Sequence, residues 1–254
     1  MYIQEILKNF TFYLIIYSFV AGSLYLTFWV IFKEKFEHRK IQLKKTSSVN
    51  HIKHDFLYSL QAIAISSILI TFLNTAYSKN HTQIYTSHSE YNNIYTIVSL
   101  IAVLVIDDTF FYWFHRLMHH PKIFRYTHKA HHFSTDPSPF TSLAFQFIET
   151  LAENFVGIIL PFLMPIHWYV ILIWQIISFS NNFIAHLGYE VYPTFWIKTS
   201  LLKFKTTSTH HNMHHRYFNG NYALYFTWWD KLMGTEFKNY ENSFLEIHNR
   251  VKKS

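Results

Sequence analysis

Apolar and polar residues in this chain separate into long blocks instead of alternating. Residues 10–32, FTFYLIIYSFVAGSLYLTFWVIF, contain no charge. A helix of that length crosses the roughly 30 Å of a bilayer's hydrocarbon core at about 1.5 Å per residue. Comparable blocks occupy 56–73, 94–114, 143–164 and 168–186, and the last two are joined through the tight connector MPIH. The first block is followed by KEKFEHRK, not by a small-residue cleavage site, so it reads as a retained anchor. The pattern predicts an all-α, integral-membrane helical bundle with about five spanning helices. It divides the chain into anchor helices with a basic loop (1–93), a central unit carrying the dense motifs (94–240) and a polar tail (241–254).

Charge orients the bundle. The loop 33–55 carries Lys33, Lys35, Arg39, Lys40, Lys44, Lys45 and Lys53, whereas 74–93 carries only Lys79. Basic loops stay on the cytoplasmic side. Alternating through five spans then puts 115–140 and everything after His186 on that same side. The formal net charge of +7 suits anionic lipid headgroups better than nucleic acid in a chain with so much spanning hydrophobicity. The chain has no Cys, which excludes disulfides, thiolate zinc sites, iron–sulfur clusters and cysteine nucleophiles together.

Histidine changes the picture most. Ten of the 18 histidines fall in two short stretches, HRLMHHPKIFRYTHKAHH (115–132) and HHNMHH (210–215). His115 and His119 are spaced i, i+4. His128, His131 and His132 are spaced i, i+3, i+4, as are His211, His214 and His215. Such spacings set imidazoles on one helix face, and neutral imidazole suits Fe, Zn, Cu and Ni. Depth agrees: His115 lies about 32 Å along a helix beginning at 94, and His186 about 27 Å along one beginning at 168. Both reach the same membrane surface. His120 precedes Pro121, so periodicity does not fix its direction; His210 pairs with His214 but belongs to a less complete set. These two rank below the others.

The stretches DDTFFYWFHRLMHHPKIFRYTHKAHH, NNFIAHLGYEVYP and HHNMHHRYFNGNYALYFTWWDKLMGT resemble the fatty acid hydroxylase/sterol desaturase superfamily over roughly 95–237. The resemblance implies a membrane-embedded enzyme with two histidine-ligated non-haem Fe ions and O2-dependent hydroxylation, desaturation or cleavage of a lipid C–H bond. It implies His115, His119, His128, His131, His132, His211, His214 and His215 as metal ligands, joined by His186 from the intermediate helix. Membrane acyl desaturases share the short motifs but insert a longer stretch between the first two. Here eight residues separate His119 from His128. The chain departs from the family pattern at Asn182, where some members have histidine, at QFIE in place of H-P-x-E, and at Ala223 and Met233.

Ligand histidines usually donate their other N–H to a carboxylate or carbonyl. Asp108, seven residues before His115, and Glu149 are the candidates for that supporting role. Gln146, Glu149 and Glu153 form a polar stripe inside the fourth span, where an acid needs a protein partner. Glu153 and Asp107 read as interhelical pairing. Asp230 reads as a tether for the carboxy-terminal segment, and the aromatic runs FFYWF and YFTWW as interface and packing residues. The electrons for each turnover imply a separate donor, a reductase, ferredoxin or cytochrome, since no cysteine-ligated cluster or Gly-rich dinucleotide fingerprint is visible. The competing readings are a metal-ion transporter, whose ligands belong near the bilayer midplane on broken helices, and a non-catalytic metal-binding protein.

Overall fold

The computed structural model describes residues 2–44, 49–87, 90–200 and 202–250. Lys45 of the basic loop, parts of the polar connectors 44–50 and 78–90, and the last residues of the tail lie outside them. Among the described residues there are seven helices of eight residues or more: α1 (Tyr2–Tyr25), α2 (Val49–Ser78), α3 (Asn93–Met118), α4 (Phe147–Leu163), α5 (Trp168–Ala185), α6 (Ser208–Tyr217) and α7 (Tyr240–His248). The sheet consists of two-residue strands, β1 (Ile84–Tyr85) and β2 (Ile166–His167), paired in parallel. The protein is all-α.

Four helical stretches are long and apolar enough to cross a membrane: Tyr2–Ile31, Val49–Ser78, Asn93–Met118 and Trp168–Ala185. The fourth expected span is shorter than the apolar block 143–164. Its helix, α4, has 17 residues, about 25 Å at roughly 1.5 Å per residue. A capping box accounts for the late start: Gln146 and Glu149 each satisfy the other's backbone N–H, so the chain turns helical only from Phe147. Residues 139–146 instead form a short turn and an extended link packed against α1, α2 and α5, where the Tyr17 hydroxyl donates to the Phe140 carbonyl at 2.8 Å.

The helices share two ends. At one, the α4–α5 hairpin pairs β2 with β1, and the Tyr95 hydroxyl at the start of α3 donates to the Pro165 carbonyl at 2.9 Å. Asn9 of α1 meets Thr71 of α2 toward this end, at 2.9 Å. At the other, α3 and α5 finish, α4 begins and α6 lies across them. Trp29, in a π-helical turn that extends α1, donates to the Leu187 carbonyl at 2.9 Å. Gly188 (φ 81°) follows, and a Cβ there would stand 2.5 Å from the Trp29 ring. The basic strand 39–42 reaches the same end, where Gln42 donates to the Asn212 side chain at 2.9 Å. The tail expected to be polar forms α7, with Tyr240, Phe244 and Ile247 buried.

Candidate metal centre

Four pieces of chain deliver histidines to this end. Asn92 caps α3 by accepting the Tyr95 N–H, and the helix runs to Met118, placing His115 in its last turn and His119 at its cap. α5 ends at Ala185, with His186 as its cap. Thr207 starts α6, whose residues Ser208 to His215 are all buried. The segment 128–133 is not a continuous helix. His128 ends a four-residue turn and His131–Phe133 form a 3₁₀ turn, so this triple is aimed by a folded loop.

All nine imidazoles singled out in the sequence converge. His115, His119, His128, His132 and His214 form one group and His131, His186, His211 and His215 another, with the ligand atoms in each group within 4.8 Å of one another. The groups adjoin: the rings of His132 and His215 lie 4.6 Å apart. Each i, i+4 pair enters one group, and in the two triples the i+3 histidine crosses to the other. Eight of the nine are buried and His119 is half-buried. His120 is exposed and outside both groups. His210 faces away, its Nε2 3.4 Å from an Asp230 oxygen. Asn182 turns its amide to the Ser142 carbonyl, which it reaches at 2.8 Å.

Outward hydrogen bonds set the tautomers. His115 Nδ1 donates to the Tyr222 carbonyl (2.9 Å), His186 Nδ1 to that of Asn182 (2.8 Å), His214 Nδ1 to Gly220 (2.7 Å) and His215 Nδ1 to Ser134 (3.1 Å). A carbonyl only accepts, so each Nδ1 carries the proton and each Nε2 an open lone pair. Yet His186 Nε2 and His215 Nε2 face each other at 3.1 Å. Two lone pairs at that distance repel unless a cation lies between them. The donor set therefore fits metal ions, and imidazole nitrogens without thiolate suit iron among others. Burial pushes the His119, His128, His131, His132, His211, His214 and His215 imidazoles below the ordinary histidine range, and neighbouring imidazoles act in the same direction.

The acids divide by role. Glu149, wholly buried at the start of α4, accepts His128 Nδ1–H at 2.6 Å and the Gln146 N–H at 3.2 Å. Asp108 does not hold His115, which the Tyr222 carbonyl does. Its carboxylate accepts the backbone N–H groups of Tyr225 (2.7 Å) and Phe226 (3.1 Å). Helical spacing aligned Asp108 with His115, but the loop 218–226 comes between them. Asp230 accepts from the N–H groups of Tyr222 and Ala223, both at 2.9 Å, and from the Thr235 hydroxyl at 2.7 Å. Burial alone would raise the Asp230 pKa; its hydrogen bonds, with His210 beside it, hold it below the usual range. The carbonyls of Ser134, Gly220 and Tyr222 gave no signal in the sequence, because their contribution is backbone.

The match to known families falls on this site. Residues 100–235 match the fatty acid hydroxylase family model. The chain belongs to the fatty acid hydroxylase family. All nine imidazoles lie inside the matched region, and α1 and α2 outside it. The chain is 31% identical over 234 residues to the Delta(7)-sterol 5(6)-desaturase ERG3B of Gibberella zeae, covering 87% of this chain and 67% of that protein. It is 32% identical over 192 residues to the lathosterol oxidase of Homo sapiens, covering 75% of this chain and 62% of that protein. A putative methylsterol monooxygenase of Dictyostelium discoideum is 34% identical over 146 residues, covering 58% and 54%. No solved structure matches. The names of these relatives, desaturase, oxidase and monooxygenase, place this fatty acid hydroxylase family member among oxidoreductases.

Proposed function

We propose that this chain oxidises a C–H bond of a sterol-like lipid, with O2 as oxidant, at a non-haem centre of two iron ions. His115, His119, His128, His132 and His214 would hold one ion, and His131, His186, His211 and His215 the other. Bound iron supplies the redox chemistry that turns O2 against an unactivated C–H bond. The chain's own residues orient five of the ligands: carbonyls take the outward N–H groups of His115, His186, His214 and His215, Glu149 takes that of His128, and each of these rings keeps its Nε2 free. The observation that carries this reading is the pair of carbonyl-fixed imidazoles, His186 and His215, with their lone pairs opposed at 3.1 Å.

The sterol-like substrate is drawn from the relatives, and the depth of the site supports it. A cavity touches His115, His128, His131, His186 and His211 and extends between α3, α4 and α5 past Phe111 and Leu224. A concave, partly apolar site between the ends of spanning helices suits a lipid drawn from the bilayer. Transport of metal is served less well, because the imidazoles stand at the ends of α3 and α5 and not near mid-helix. We place the site on the cytoplasmic side, with the basic loop 33–55, and assign the electrons to a separate donor protein that docks at this end.

The test compares lipids from cells expressing the wild type with those expressing His131→Ala, grown under isotope-labelled O2. The wild type should hold a lipid with a new double bond or one labelled oxygen that the variant lacks. Identical lipid profiles would sink the proposal.

A further inference from the structure

Acids inside the bundle are costly unless the protein supplies partners. Of the four on α3 and α4, three have them. Asp107 accepts from Trp174 Nε1 at 2.9 Å and the Tyr225 hydroxyl at 2.7 Å; Asp108 and Glu149 are held as described. Glu153, one turn beyond Glu149 on α4, makes no hydrogen bond or ion pair with any described residue.

Its position gives that isolation a meaning. The cavity beside the histidines adjoins a second one, and Glu153 lines both, with Phe111, His115, Ser178 and Leu224. The second cavity runs on to Trp174. Across that ring lies a third, lined by Val103, Val156, Leu160, Ile166 and Val170 and by no charged residue. Gly157 is what lets the ring pack against α4, since a Cβ there would stand 2.9 Å from it. The sequence of spaces is therefore polar beside the metal site and apolar toward the hairpin end.

We propose that Glu153 is the hydrogen-bond acceptor for a hydroxyl group on the lipid substrate. The substrate's polar end then lies beside the histidines, its apolar body points toward Trp174, and the oxidised C–H bond is a few bonds from the hydroxyl. A neutral hydroxyl fits better than an ammonium group, because a lipid leaving the bilayer brings it in without a charge to desolvate. A plain hydrocarbon chain would leave the acid unanswered. This assignment rests on the lipid-oxidase reading above and specifies where that lipid is held.

The test is binding, measured on purified protein in lipid nanodiscs with the fluorescent sterol dehydroergosterol and its 3-O-methyl ether. Wild-type protein should bind the free hydroxyl form about fivefold more tightly, the worth of one buried hydrogen bond. Glu153→Leu should bind both sterols equally, with metal content unchanged. It should fold at least as stably as the wild type, since a half-buried acid without a hydrogen-bond partner is being replaced by an apolar group. Glu153→Gln, which keeps an acceptor, should retain the preference. A wild type indifferent to the methyl group, a preference that survives in Glu153→Leu, or a Glu153→Leu protein less stable than wild type would each overturn the assignment. Failure of wild-type protein to bind either sterol would overturn the sterol reading itself, and this assignment with it.

Discussion

At the scale of single residues, the site is governed by which nitrogen of each ring carries its proton. Among the described residues Glu149 is the one side chain that takes that proton's hydrogen bond, and it comes within 4.8 Å of ligand atoms of both His128 and His131, one from each group. Removing an acceptor of this kind typically costs 10–100-fold in metal affinity. Glu149→Ala should therefore release metal at roughly tenfold or more lower chelator concentration than wild type, read by elemental analysis after dialysis against graded chelator. Unchanged metal retention would remove Glu149 from the site. Protons offer a second measurement. Seven imidazoles outside the spanning helices are held neutral by burial, whereas in the unfolded chain they titrate near pH 6.5. The unfolded state then binds more protons as pH falls below about 6.5, so metal-free protein loses stability there, by up to about 1.4 kcal/mol per pH unit for each ring that stays neutral. Thermal unfolding of the metal-free protein from pH 8 to pH 5 should show a flat region and then a steep decline. A midpoint independent of pH would mean the rings are not buried as described.

At the scale of elements, α6 is unlike any other helix here. Eight consecutive residues from Ser208 to His215 are buried, four of them histidines, and no apolar face explains that burial. Such a helix is legible in sequence as a ligand bearer because its spacing repeats. The HKAHH stretch carries the same spacing yet folds as turns, because His128 ends its helical turn in a non-helical conformation (φ −140°). Spacing indicated which histidines gather but not the backbone that gathers them. The supporting loop 218–226 was harder still to foresee, since it acts through carbonyls. It depends on close approach at Gly220, where a Cβ would stand 2.5 Å from the Thr235 carbonyl oxygen. The Gly220 carbonyl is also the acceptor for His214. Gly220→Ala must move that loop, misaligning His214, and should cost about 1–3 kcal/mol in stability together with a fall in metal content. Thermal unfolding and elemental analysis of the same preparation check this. A fully stable, fully metallated variant would show that the loop is not needed for the site.

At the scale of the whole molecule, the histidine site is supported from outside the segment matched by its family. Asp55, on α2, is wholly buried, and one of its oxygens accepts the hydroxyls of Ser134 and Thr141, each at 2.7 Å. The Ser134 carbonyl in turn holds His215. The apolar block 56–73 marked α2 as a spanning helix, but nothing local in NHIKHDFL marks Asp55 as the residue tying that helix to the loop after HKAHH. That information lies in pairs of residues 79 and 86 positions apart. Asp55→Leu removes the acceptor for two buried hydroxyls at once. With hydrogen bonds to charged groups worth about 1.5–3 kcal/mol each, a loss of roughly 3 kcal/mol or more is expected. Because the loosened loop holds His215 through the Ser134 carbonyl, the loss should be larger in metal-loaded than in metal-free protein, so the gap between their unfolding temperatures should narrow. An equal loss in both forms would make Asp55 a packing residue only, and the helices preceding the family segment would then be anchors with no part in shaping the centre.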